Sequence, residues 1–489
     1  MSEPGSDSCH AFNQFVKVGM TGFEPATSCT PCKRATGLRH IPKFLVWKGS
    51  KCKRLFMKIH LSCAQILQLR MNILLRKVII ADSQSTYNGI VKDVFIQNGI
   101  VTSIEDNNSE AADTIIEGNG NLYLSPGFVD VFAQFDDPGF EHKETLVSGA
   151  AAASAGGYTT VFTVPNTSPV VSNKSGVEYI VQKSKGLPVN IRPLGAITKN
   201  CEGKELAEMY DMYQSGAVAF TDGLQPVQSS EIMLKALQYV KAFNGVIVQM
   251  PVDKTINTGG LMHEGIISTQ LGLPGIPSIG EELIIQRDIR LLQYTESRLH
   301  ITGVSTAQGI ELIKEAKRNG LNITCSVTPY HLYFCDEDLQ SYDTNLKVNP
   351  PLRSKEDREA LRNAVIDGTV DCIASHHIPQ HWDDKVCEFE YARNGMLGLQ
   401  TSFAIINTLF PQLPVERLTA LFSDNARKIF NLPLLSVREN SNAQFTMFSR
   451  DADFVLTKEN LQSKSANTPF LNMALKGKVK AIKALFTSY

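Results

Sequence analysis

The chain has 489 residues, of which 43% are hydrophobic and 20% charged, with a formal net charge of −1. That length supports a large core and two or three domains, while the near-neutral balance excludes a basic nucleic-acid face or a charged tail. No apolar run approaches the roughly 18–20 residues that span a bilayer, so no membrane segment is expected. Five of the ten cysteines (Cys9, Cys29, Cys32, Cys52, Cys63) fall in the first 70 residues, and the other five are scattered. Scattered cysteines in a chain of this size read as reduced thiols of a cytoplasmic protein. The Cys29-x-x-Cys32 pair lacks a second pair at zinc-site spacing.

Residues 1–70 show no sustained period of 2 or 3.6 and no continuous apolar segment of a secretory signal. They read as an appended, disordered segment, or as sequence upstream of a true start at Met71. From Met71 the pattern changes. Asn72–Ala81 and Ile90–Ile96 read as strands, and Asn98-Gly99 supplies a tight turn before Ile100–Ile104. The expected β domain is completed at the other end by Asp453–Leu456 and Gly477–Phe486.

Between these ends, strand and helix signals alternate. Strand candidates begin near Gly127, Thr159, Asn190, Ala217, Gly245, Arg298, Asn322 and Asp371. Helical patterns such as Ser229–Phe243, Ile279–Ser297 and Thr306–Asn319 separate them. Eight such units predict an α/β fold, a (β/α)₈ barrel, with chemistry at the carboxyl ends of its strands. The expected organisation is 1–70 appended, 71–124 the first half of the β domain, 125–439 the barrel and 440–489 the second half. Pro251–Pro277 is too long for an ordinary βα connection and reads as a functional or subunit-contacting loop.

The stretch Ser125–Gly139 (SPGFVDVFAQFDDPG) resembles the first strand of the cyclic amidohydrolases, dihydroorotase in particular, where the pattern is G-F-V-D-x-H-x-H-F-R-E-P-G. The resemblance extends through Ala155–Thr167 (AGGYTTVFTVPNT), Gly259–Pro277, Val327–Leu332 (VTPYHL), Asp343–Arg353 (DTNLKVNPPLR) and Ser463–Phe470 (SKSANTPF). It implies a place in pyrimidine biosynthesis and the reversible closure of N-carbamoylaspartate to dihydroorotate. By the same resemblance Asn166, Asn349 and Gly395 are candidate substrate contacts. Family members use zinc, which lowers the pKa of bound water from about 15.7 to about 7 and polarises the carbonyl.

Against that pattern the ligand positions carry other residues. Phe132 and Gln134 stand at H-x-H, Met250 at the first position of H-x-x-D (with Asp253 at the second), and Gly303 at the second histidine of H-I-x-H. His376 stands at the proton-shuttling aspartate, Gln380 at a substrate-contacting histidine, and Asp136 at the arginine that receives the substrate carboxylate. Phenylalanine and glycine offer no donor atom, and glutamine is a poor zinc ligand. Asp222, in AFTDG, stands at or beside the bridging-ligand position. No cofactor is therefore expected, zinc being implied by the family alone.

Two readings follow. The chain is a non-catalytic homologue, a homo-oligomer that scaffolds or regulates, with aspartate transcarbamoylase as the partner the resemblance suggests. Alternatively it is an active cyclic amidohydrolase with a rebuilt site, metal-bound or metal-free. His376, His377 and His381, with Asp136, Asp137, Asp222 and His142, are its candidate groups. His300 and His331 stand beside ligand positions and read as packing residues.

Overall fold

The computed structural model describes residues 72–483. Segment 1–70, with its Cys29–Cys32 pair, lies outside the described residues. A seven-stranded sheet forms one layer from both ends of the described chain. Ile73–Ile80 pairs antiparallel with Val91–Gln97, and that strand with Ile100–Glu105. Asn98 and Gly99 both adopt positive φ at the turn, as the sequence requires of this pair. Tyr123–Pro126 bridges Ile73–Ile80 to Gln444–Val455, and that strand pairs with Ala474–Lys483. Leu75, Val78, Val94, Ile96, Leu124 and Phe445 pack together as this layer's core.

The expected strand at Asp453–Leu456 in fact begins at Gln444. Its register shifts between Ser449 and Asp453. Arg450, at that irregularity, donates to the carbonyls of Leu413 and Phe410 instead of following a simple alternation. Such a bulge hides the strand's period of 2.

Eight parallel strands close a barrel. Phe128–Ala133, Tyr158–Thr163 and Asn190–Pro193 pair in turn. A bridge from Gly195 to Phe220, and another from Phe220 to Ile247, insert the fourth strand. Ile247–Gln249, Leu299–Thr302, Ile323–Val327 and Cys372–Ile373 follow, and the bridge from Ala133 to His377 closes the ring. Val129, Val131, Phe162, Leu194, Ala219, Val248 and Ala374 come from strands around the ring yet touch one another, so they fill its interior. The opposite faces of these strands pack on helices, which is why the strands are apolar on both sides.

The helices start where side-chain caps permit. Ser229, Thr306 and Ser354 each accept a backbone N–H three residues on, opening Ser230–Lys241, Ala307–Arg318 and Lys355–Asp367. The segment Pro251–Pro277 is not a bare loop. It contains helix Ile266–Leu271 and a two-stranded parallel ribbon, Met262–His263 with Gly275–Ile276. Among the described residues, no helix is long and apolar enough to cross a membrane. The cysteines at 201, 325, 335, 372 and 387 are free thiols.

Candidate functional site at the carboxyl end of the barrel

The strand ends of the first, sixth and eighth strands bring Phe132, Gly303 and His376 together. All three positions are buried. The imidazole of His376 stacks on the ring of Phe132, with centroids 4.3 Å apart and planes inclined by 25°. A Cβ added at Gly303 would lie 2.5 Å from His376 Cε1, so position 303 has to be glycine for the imidazole to lie there. Both backbones have positive φ, +71° at Gly303 and +40° at His376. For a histidine this is a strained conformation, imposed by its surroundings.

A chain of polar side chains continues inward from His376. Its Nε2 lies 2.8 Å from Thr302 Oγ1, which accepts from Ser326 Oγ at 2.9 Å. Ser326 Oγ is 3.0 Å from His300 Nε2, and His300 Nδ1 is 2.9 Å from Thr324 Oγ1. With the Ser326 proton directed to Thr302, His300 Nε2 donates to Ser326. His376 Nδ1 is buried and makes no hydrogen bond. Burial, reinforced by the neighbouring histidines, holds His376 neutral, its pKa pushed down to about 3. Burial has the same effect on His300, also to about 3.

The remaining ligand positions are committed elsewhere. Gln134 donates from Nε2 to Asp136 Oδ1 at 2.7 Å. Met250 is buried. Asp253 caps a turn, accepting from the backbone N–H groups of Thr255 and Ile256. Asp222 is buried and accepts from the Thr198 backbone at 2.9 Å and from the Thr198 hydroxyl. Burial lifts its pKa to about 6.

His376, His377 and His381 do not converge. His376 stacks on Phe132, whereas His377 reaches Glu144, with Nε2 3.4 Å from Oε2. Its Nδ1 accepts from Gly398 N. His381 pairs with Asp383 at 3.2 Å and meets the His142 ring edge-on. Asp137 is held by Lys183 at 2.7 Å and the Tyr179 hydroxyl at 3.0 Å. Among the described residues, no group of three or more His, Cys, Asp or Glu side chains is placed to hold a metal ion. The residues present do not fit the family's zinc.

A second polar group lines the same mouth. Asp136 is buried, and its Oδ2 lacks a hydrogen-bond partner. Burial lifts its carboxyl to about 7 against the pull of Lys143, with Glu144 adding to the rise. Lys143 Nζ donates to Gln380 Oε1 at 2.7 Å and pairs with Asp384 at 3.4 Å. Gln380 Nε2 donates in turn to the Asn394 carbonyl. Lys143 and Glu144 escaped the sequence reading. Their signal was the charged run Glu141–Glu144 immediately before a helix.

Asn166 ties two loops together: Nδ2 donates to the Asp222 carbonyl and Oδ1 accepts from Leu224 N. Asn349 is half-buried, next to Pro350, whose carbonyl lies 3.0 Å from His331 Nε2. Gly395 has φ +146°, and a Cβ there would meet the Ile378 carbonyl at 2.7 Å. His331 also contacts the Thr328 hydroxyl at 2.8 Å, and burial pushes its pKa down to about 4.

The family model described as "Dihydro-orotase-like" matches residues 120–309. The dihydroorotase of Syntrophus aciditrophicus strain SB is 39% identical over 413 residues, which cover 84% of this chain and 97% of that protein. The dihydroorotase of Pelotomaculum thermopropionicum is 40% identical over 395 residues, 79% of this chain and 91% of that protein. Among solved structures, the L-hydantoinase (dihydropyrimidinase) of Arthrobacter aurescens superposes with a TM-score of 0.72 at 23% identity. It covers 83% of this chain and 93% of that one, a likeness of fold alone.

Proposed function

Since the chain belongs to the dihydroorotase-like family of pyrimidine biosynthesis, we propose that it is a divergent member without zinc-dependent turnover. In this reading it serves the pathway by binding or scaffolding, with an aspartate transcarbamoylase as the partner to test. The observation that supports it is the imidazole of His376 packed between Phe132 and Gly303, in space that a ligand side chain at position 303 would need. Zinc needs three or four nitrogen, sulfur or oxygen donors around one point. Here one of the four candidate positions is a phenylalanine, one a glycine, one a buried methionine, and the glutamine amide is bonded to Asp136.

A second reading rests on the relatives: proteins 39–40% identical over nearly their whole length carry the name dihydroorotase, which favours a working cyclic amidohydrolase. The group best suited to metal-free proton transfer is Asp136. Its carboxyl titrates at about 7 and its Oδ2 has no partner, which are the properties of a general acid–base. The experiment that separates the two is carbamoylaspartate cyclisation by the purified full chain, with and without added zinc, and by Asp136→Asn. No turnover in any sample supports the first reading. Turnover that survives chelation and is lost in Asp136→Asn supports the second.

A further inference from the structure

The barrel end opposite His376 holds a cavity of about 430 Å³, at the starts of the fifth, sixth and seventh strands. Small-molecule sites fall in the range of roughly 300–1,000 Å³. Seven of its lining residues carry hydrogen-bonding side chains, among them Lys241, Asn244, Ser297, Arg298 and Asn322. Two features set it apart from a solvated surface cleft.

The first is Ser297. It is 2% exposed, and its hydroxyl has no hydrogen-bond partner. A buried hydroxyl is normally satisfied, and this one lines a polar cavity. The second is Arg298. The partners of Arg298 are neutral: Nη1 donates to the Asn244 carbonyl at 3.1 Å and to Asn431 Oδ1 at 2.9 Å, and Nη2 donates to the Ile429 carbonyl. Asn431 Nδ2 also donates to the Asn244 carbonyl, so the wall that carries the guanidinium is held in place. Burial disfavours its charge, and no carboxylate offsets this. Glu296, the acid of the lining, lies 3.4 Å from Lys241 and is largely exposed. Two cations thus face one acid.

We propose that this cavity binds the oxyanion group, phosphate or carboxylate, of a small metabolite, with Arg298 supplying the charge and the Ser297 hydroxyl a hydrogen bond. An anion would compensate the guanidinium and partner the hydroxyl in one step. The site is separate from the barrel mouth and does not depend on whether the mouth is catalytic.

The test is equilibrium titration of the full chain with inorganic phosphate and, separately, with succinate. Two variants break no hydrogen bond of the folded protein. Asn322→Asp places a carboxylate on the exposed rim, and Ser297→Ala removes the buried hydroxyl. We expect saturable binding of one or both probes, weakened about tenfold by Asn322→Asp and measurably by Ser297→Ala. His376→Ala should leave it unchanged. Failure of both probes to saturate, or saturable binding that neither cavity variant weakens, would overturn the proposal.

Discussion

His376 and Gly303 are mutually dependent: the imidazole of one fills the space that a side chain on the other would claim, with 2.5 Å between His376 Cε1 and a Cβ at 303. Substitution at 303 therefore meets both a strained φ of +71° and a steric conflict. Gly303→Ala should cost about 1–3 kcal/mol in urea unfolding. His376→Ala combined with Gly303→Ala should cost clearly less than the sum of the singles, because removing the imidazole relieves the clash. Strict additivity would mean that the two residues do not compete for this space.

The buried histidines give stability a definite pH sign. His300 titrates at about 3 when folded, well below the unfolded value of about 6.5. Between these values the unfolded chain binds more protons, so the contribution of His300 is present above pH 6.5 and is lost as pH falls toward 3. Buried carboxyls such as Asp130, lifted to about 7 by burial, act in the opposite direction. The histidine part must be read as a difference. The stability gap between wild type and His300→Gln should narrow as pH drops from 7 to 4. A gap independent of pH would contradict a neutral buried His300.

Asp136 makes the complementary prediction. Its folded pKa of about 7 exceeds the unfolded value, so its contribution is present at low pH and is lost as pH rises through 7. Asp136→Asn cannot ionise. It should gain stability relative to wild type between about pH 4 and about pH 7, measured by chemical denaturation at each pH. A relative loss over that range would show that the ionised carboxylate is the favoured form.

Arg353 and Glu281 join the ribbon Met262–Ile276 to the start of helix Ala307–Arg318. The guanidinium reaches Glu281 Oε2 at 3.5 Å, the Ile276 carbonyl at 2.9 Å and Ser305 Oγ at 3.1 Å. Glu281 accepts from the backbone N–H groups of Ser305 and Thr306. Both residues are almost fully buried. Arg353→Met should destabilise by about 3–5 kcal/mol, since it leaves Glu281 charged and unpaired. Arg353→Met with Glu281→Gln should recover part of that loss in the same unfolding assay.

Much of the fold was legible because each barrel strand is a short apolar run set off by turn residues. The candidate strand starts near Gly127, Thr159, Asn190, Ala217, Gly245, Arg298, Asn322 and Asp371 all fall at or beside barrel strands or bridges. Gln444–Val455 was shortened in the reading because Arg450 and Asp451 interrupt its alternation at a bulge. At the site, the sequence tells which residue stands at each position but not how they share space. Gly303 reads there as the loss of a ligand; only the folded backbone shows it making room for His376. The histidines at 376, 377 and 381 look like a cluster when counted along the chain. They separate in the fold: His376 has a φ of +40° and stacks on Phe132, His377 meets Glu144, and His381 meets Asp383.

Zinc content of the full chain, purified after incubation with excess zinc and removal of unbound metal, tests the proposed loss of the metal centre most directly. The arrangement of Phe132, Gln134, Met250, Gly303 and His376 predicts no stoichiometric zinc. It also predicts no zinc-dependent rise in Tm, since a ligand stabilises a fold only by binding it. One or two tightly held zinc ions per chain, lost on substitution of His376, would contradict it.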